Sequence, residues 1–186
     1  IPVDDASYRY RAIRQGDKVN LVFSLTEHVE IPVYSYVDYQ GQRYTLWRPE
    51  DLTKHGTRNL DYSATFGGYW ELLGTIKYKH LSAIPRKLKF QLTGKPRFFL
   101  ELLIDNMNQS GVGGWSIGTC IDAPEKTLAF SHEFCLDALN RFADEWGTEF
   151  EIVSKTINFG KVEKFKDDPL PLSYGRGNGF KTGVGR

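Results

Sequence analysis

Cysteine is nearly absent from this chain: Cys120 and Cys135 are the only two among 186 residues. Two thiols cannot make a disulfide framework or a four-cysteine zinc site, and a reducing compartment is the default expectation. Histidine is equally thin. His28, His55, His80 and His132 are scattered, and no HxH, HExxH or CxxC spacing occurs, so no metal motif and no cofactor is expected. Methionine occurs once, at Met107, and none precedes Ile1, which leads us to expect a trimmed or processed chain. No apolar run approaches the ~20 residues that span a bilayer. The start, "IPVDDASYRY", has neither the basic head nor the apolar stretch of a signal peptide. Excess charge of one sign is missing too. The formal net charge is +1, far from the basic surplus of a nucleic-acid binder, so no nucleic-acid partner is expected. The 18 glycines follow no period, which excludes collagen-like and solenoid chains.

What is present is a core-forming chain rich in aromatics. Hydrophobic residues make up 40% and aromatics 14%, and aromatic side chains favour strands. The first ~85 residues alternate with period two. Strands are predicted at Tyr8–Arg14, Val19–Leu25, Val29–Tyr39, Arg43–Trp47 and Leu60–Phe66, with turns at "QGDK" and Gln40-Gly41. Short strands joined by turns imply a barrel or a sandwich. "YWELLGTIKY" (Tyr69–Tyr78) fits either a short helix or a strand.

The pattern changes near Pro85. "KLKFQLTG" reads as a strand, and Pro96 suits the first turn of a helix in which Phe99, Leu102, Leu103 and Asn106 share a face. Gly111 is placed to end it. "WSIGTCI" and "TLAF" read as strands. Ser131 is placed as the N-cap of a second helix whose apolar face is Cys135, Ala138, Leu139, Phe142 and Trp146, closed by Gly147. A hairpin turning at Ser154-Lys155 follows. The fold class expected is therefore α+β: a β-barrel-like unit over residues 1–85 and an inserted α/β unit with two helices over 86–164. Residues 165–186, rich in Pro and Gly with a candidate strand at Leu172–Tyr174, would return to the first barrel or start a second one.

Few residues suggest chemistry. His132 and Cys135 are three apart on one side of a helix, near enough for a thiolate and its base. Yet Cys135 falls on the apolar stripe, and a buried structural cysteine is the stronger reading; Cys120 reads as a strand core residue. Asp137, Asp144, Glu145, Glu149 and Glu151 supply carboxylates, and a glycosidase needs two of them across a cleft. Glu149 and Glu151 alternate with Phe150 and Ile152, so the solvated face of a strand is the stronger reading. "GRGNGFKTG" in the tail lacks Gly directly before Lys181-Thr182, so it is not a phosphate loop. No catalytic, cofactor-binding or metal-binding residue is assigned. A β-rich glycan-binding module would use exposed aromatics such as Tyr34, Tyr36 and Tyr69, and a peptidoglycan hydrolase fragment would use His132/Cys135 or Glu149/Glu151.

One long stretch does carry a likeness. "CLDALNRFADEWGTEFEIVSKTINFGKVEKFKDDPLPLSYGRGNGF" resembles the N-terminal hub region of phage tail proteins, the baseplate-hub or tail-associated lysin proteins that include the prophage endopeptidase-tail family. The matching positions are Asp137, Ala138, Leu139, Ala143 and Trp146 on the helix. Phe150, Ile152, Ile157, Gly160 and Lys161 match on the hairpin, and Leu172, Tyr174, Gly175, Gly177 and Asn178 beyond it. The resemblance implies a barrel, an inserted α/β domain and a second barrel. It also implies a homotrimer of the full-length protein that joins the sixfold tail tube, or a distal tail protein, to a spike or fibre. The location implied is the virion tail, assembled in the bacterial cytoplasm. Any lysin activity would sit in a C-terminal domain, and this chain stops at Arg186, before the second barrel would be complete.

Overall fold

A computed structural model describes residues 3–54, 59–111 and 113–162. The tail, with Leu172, Tyr174, Gly175, Gly177 and Asn178, lies outside the described residues, and so does His55.

The alternating first half forms one six-stranded antiparallel sheet. Its strands are β1 (Tyr8–Ala12), β2 (Gly16–Leu25), β3 (Tyr36–Tyr39), β4 (Gln42–Thr45), β5 (Asp51–Lys54) and β6 (Leu60–Gly67). β2 and β6 pair along eight positions, with Val19 opposite Phe66, Leu21 opposite Ala64 and Phe23 opposite Tyr62. The apolar set of each strand therefore falls on one face, and Phe23 stacks on Tyr62 at 5.0 Å. The order is β1-β2-β6-β4-β3, with β5 also on β6. Among the described residues this sheet is open, which corrects the barrel-like expectation. β5 occupies the first half of β6's far edge, and β4 meets β6 only through Thr45 and Gly67. The ends of the curl are joined by a side chain, not by a ladder: Arg9 on β1 bonds Gln40 in the β3–β4 turn.

The strand predicted across Val29–Tyr39 shrinks to β3. Pro32 has no N–H to give a ladder, and its carbonyl instead accepts from Ser35 N–H at 3.0 Å while Tyr34 turns to a φ of 76°. β5 was not anticipated. The ambiguous segment at Tyr69–Tyr78 begins as a one-turn helix, α1 (Trp70–Leu73), whose Leu72 and Leu73 are buried.

The second half follows the predicted order: β7 (Lys89–Gly94), α2 (Pro96–Asn108), β8 (Ser116–Cys120), β9 (Lys126–Ser131), α3 (Cys135–Trp146), β10 (Phe150–Val153) and β11 (Thr156–Phe159). β7 pairs with β9, and β10-β11-β8 form a three-stranded sheet in which β11 runs parallel to β8. Pro96 occupies the first turn of α2 as predicted; the helix closes at Gln109 rather than Gly111, which follows in the turn at φ 91°. The N-cap of α3 is Phe134, not Ser131. Ser131 is still in the β7–β9 ladder, opposite Lys89. Backbone bonds from Tyr78 N to Glu133 O and from Cys135 N to Ile76 O hold residues 133–135 beside 76–78 until the helix begins. Asp137 then accepts the Phe134 N–H at 3.2 Å. Gly147 closes α3 in the left-handed region, φ 58°, where a glycine carries no steric penalty.

α2 and α3 enclose an aromatic core. Tyr78, Phe99, Phe130, Phe142, Phe150 and Phe159 are wholly buried, with ring centroids 4.9 Å apart for Tyr78–Phe130 and 5.5 Å for Phe99–Phe142. The N-terminal sheet meets this unit through Trp70, which stacks on Phe150 at 5.3 Å. It also meets it through Arg11, paired with Glu151, and Arg14, which reaches Asp144 at 2.6 Å and the Asn140 carbonyl at 3.0 Å.

Candidate functional site

The residues singled out for chemistry are not brought together. Cys135 lies in the core with no exposure, and burial pushes its thiol up to about 12, the reverse of what a nucleophile needs. His132 points outward from the turn before α3, exposed and at φ 60°. Cys120 is half-buried on β8; burial raises its thiol as well, and its sulfur contacts the Ile121 carbonyl at 3.4 Å. Among the described residues no three His, Cys, Asp or Glu side chains are grouped to hold a metal ion. His28 contacts the Tyr62 hydroxyl at 3.2 Å and His80 lies on Phe90.

Each flagged carboxylate has a structural partner. Asp137 caps α3, and Asp144 pairs with Arg14. Glu145 lies 3.7 Å from Lys126. Glu149 accepts the Val162 N–H at 3.1 Å. Glu151 is not on a solvated face: its side chain is 18% exposed because Arg11 of β1 packs over β10 and pairs with it. That contact joins residues 140 positions apart, which strand alternation cannot reveal.

A cleft of about 320 Å³ opens where the two halves meet. The β1–β2 hairpin supplies Arg11, Arg14 and Asp17; β4 supplies Arg43; α1 supplies Trp70; β10 supplies Phe150 and Glu151. Arg43, Tyr69 and Ser154 continue it into a shallower hollow beside the β10–β11 turn. Asp17 organises one wall. It receives a two-pronged bond from Arg9, at 3.0 and 2.8 Å, and the Tyr44 hydroxyl at 3.0 Å. Charge-assisted fork bonds of this kind are among the stronger polar contacts. The bond to Asp17 raises the Arg9 guanidinium above its ordinary value, while burial, reinforced by Asp17, pushes the Tyr44 phenol up to about 12.

The aromatics proposed for glycan contact are partly gathered here. Tyr36 is 55% exposed under the Arg43 guanidinium at 3.8 Å, and Tyr69 lies near Lys155 and edge-on to Trp115. Tyr34 stands apart, edge-on to Trp47. Sequence reading missed Asp17, Arg11 and Trp70. The signal for Arg11 and Asp17 was "RYRAIRQGDK", where three cations precede one carboxylate in a hairpin; Trp70 lay in the segment that fitted either a short helix or a strand.

No family model matches the sequence, and no curated protein does. The architecture itself defines a class: a mixed α+β chain, mostly strands, with an open antiparallel sheet packed on a two-helix unit. The chain shares this fold with prophage tail protein gp18 from Listeria monocytogenes EGD-e. The likeness covers 87% of this chain and 45% of that one, at a TM-score of 0.59 and 12% identity. The chain thus spans less than half the length of that solved protein. Among the described residues no helix is long and apolar enough to cross a membrane.

Proposed function

We propose that the chain is a structural part of a phage or prophage tail, the baseplate-hub element between the tail tube and the spike or fibre. The observation that carries this reading is the fold shared with a prophage tail protein over 87% of the chain. In this reading residues 1–85 form the hub unit and 86–164 the inserted unit, and the full-length protein is a homotrimer. Heterologous contacts repeated about an axis close into such rings. These residues act by assembly, without catalysis.

The test is light scattering on the full-length protein together with mass spectrometry of purified tails. A trimer that co-purifies with tails is expected. A protein that stays monomeric at high concentration and is missing from tails ends the hub reading. A second reading, a glycan-binding module, is favoured by exposed Tyr36 beside Arg43 at the cleft mouth. Saturable binding in a glycan array that is lost in Tyr36→Ala would replace the hub reading with it.

A further inference from the structure

The near-neutral total hides a strong local imbalance. From Leu72 to Leu100 the chain carries seven Lys or Arg and no Asp or Glu, so the rest of the chain is net acidic. Two of these cations are neutralised by acids outside that stretch, Lys95 by Asp122 at 2.9 Å and Arg97 by Glu101 at 3.1 Å. Lys77 is committed locally: its ammonium donates to the His132 carbonyl at 2.6 Å and lies over the Phe134 ring. Lys79 and Arg86 have no acid within ion-pair distance among the described residues.

Both of these cations line one concavity of about 230 Å³ between the segment 75–81 and the end of α2. The site is held by a buried polar group. Asn106 is 4% exposed; its Oδ1 accepts the Lys79 N–H at 3.1 Å, and its Nδ2 donates to the Lys79 carbonyl at 3.0 Å and to Leu102 at 2.8 Å. The Lys79 backbone is thereby clamped to α2, and its side chain is presented from a fixed root. Thr75, Gln109 and Ser110 complete the polar lining. The Thr75 and Ser110 hydroxyls each donate to a helical carbonyl, leaving their oxygens to accept.

Two unpaired cations and hydroxyl or amide acceptors in one hollow suit an anion flanked by hydroxyl donors. No aromatic lines the hollow, so bases have nothing to stack on, as single-stranded nucleic acid requires. Ile84, 98% exposed, tips the adjoining loop, but one aliphatic side chain is far too little apolar area to hold a protein on a bilayer. We propose that this hollow binds a phosphate-bearing polyol chain, with one phosphodiester seated between Lys79 and Arg86 and polyol hydroxyls against Thr75, Gln109 and Ser110. The site does not depend on the tail reading.

The experiment is calorimetric titration of the protein with poly(glycerol phosphate) at two salt concentrations. Saturable binding that weakens with salt is expected. Lys79→Ala with Arg86→Ala should weaken it roughly tenfold or more, as loss of charge-assisted bonds does. Lys95→Ala with Arg97→Ala removes the same charge elsewhere and should change it by less than about twofold. Arg86→Glu alone, at an exposed loop position, repeats the test with the fold undisturbed and should also weaken binding. No saturable binding, equal loss in both double variants, or tighter binding of oligothymidylate or phosphatidylglycerol vesicles would each overturn the proposal.

Discussion

At the residue scale, burial governs the shifted thiols and phenols. Cys135 and Tyr44 are both wholly buried, and both are pushed up to about 12. Burial also holds Tyr78 well above the ordinary phenol value. The sign follows from linkage. A folded-state value above the unfolded one stabilises the fold fully below the unfolded value, and that contribution fades as pH rises toward the folded one. Stability measured by urea unfolding should therefore show no loss from these groups up to about pH 9. Above that it should fall by about 1.4 kcal/mol per pH unit for each group titrating, first Cys135 and then the tyrosines. Asp17→Asn isolates one of them. It removes the carboxylate that reinforces Tyr44, so the phenol ionisation followed by ultraviolet absorbance should move down from about 12, while staying above the ordinary value because burial persists. An Asp17→Asn phenol that titrates unchanged would remove Asp17 from this network.

At the element scale, α3 shows how a helix face is placed by its neighbours. Cys135, Ala138, Leu139 and Phe142 are wholly buried, as their spacing predicts, but Trp146 at the end of the stripe is only half-buried. Its ring meets Phe99 at 5.7 Å, Phe142 at 6.4 Å and Phe159 at 6.5 Å, and its N–H donates to the Pro124 carbonyl at 2.9 Å. The indole is thus packed against the hairpin on one side and exposed on the other, with its polar edge satisfied. Trp146→Ala should destabilise by about 2–3 kcal/mol, below the 3–5 kcal/mol of a fully buried tryptophan. A denaturant midpoint equal to that of the parent chain would show that the ring carries no packing energy.

At the scale of the whole molecule, the contacts that join the two halves around the cleft include the Trp70–Phe150 stack, the Tyr69–Trp115 edge contact and two ion pairs, Arg11–Glu151 and Arg14–Asp144. These do not weigh equally. Arg14–Asp144 involves a carboxylate that is 68% exposed, and exposed pairs contribute about 0–1 kcal/mol. Trp70 on Phe150 adds buried aromatic area to the stacking term. Asp144→Asn should accordingly lower stability by less than about 1 kcal/mol. Trp70→Ala should cost about 2–3 kcal/mol and let the sheet exchange its amide hydrogens ahead of the two-helix unit. Hydrogen exchange read segment by segment distinguishes them. Uniform protection in Trp70→Ala would mean that this stack is not what holds the halves together.

Local pattern determined a good deal of this protein. Period-two alternation located β1, β2 and β6; Pro96 opened α2; the stripe from Cys135 to Phe142 placed α3; Gly147 and Ser154-Lys155 marked its end and the hairpin turn. These are properties of neighbouring residues, and the steric limits of a few dihedrals decide them. Tertiary contact decided the rest. Whether the N-terminal strands close depends on which strand takes β6's far edge, and β5, with no clear alternation, shares it with β4. Ser131 makes a good cap in isolation, but the β7–β9 ladder claims it first. Glu151 alternates like a solvated residue, yet Arg11 arrives from the first hairpin to cover it. The parallel pairing of β11 with β8, the cleft under Trp70 and the hollow at Lys79 all bring together residues far apart in the chain. Such contacts form only because distant segments bury apolar surface against each other, and that energy has no signature in any short window of sequence.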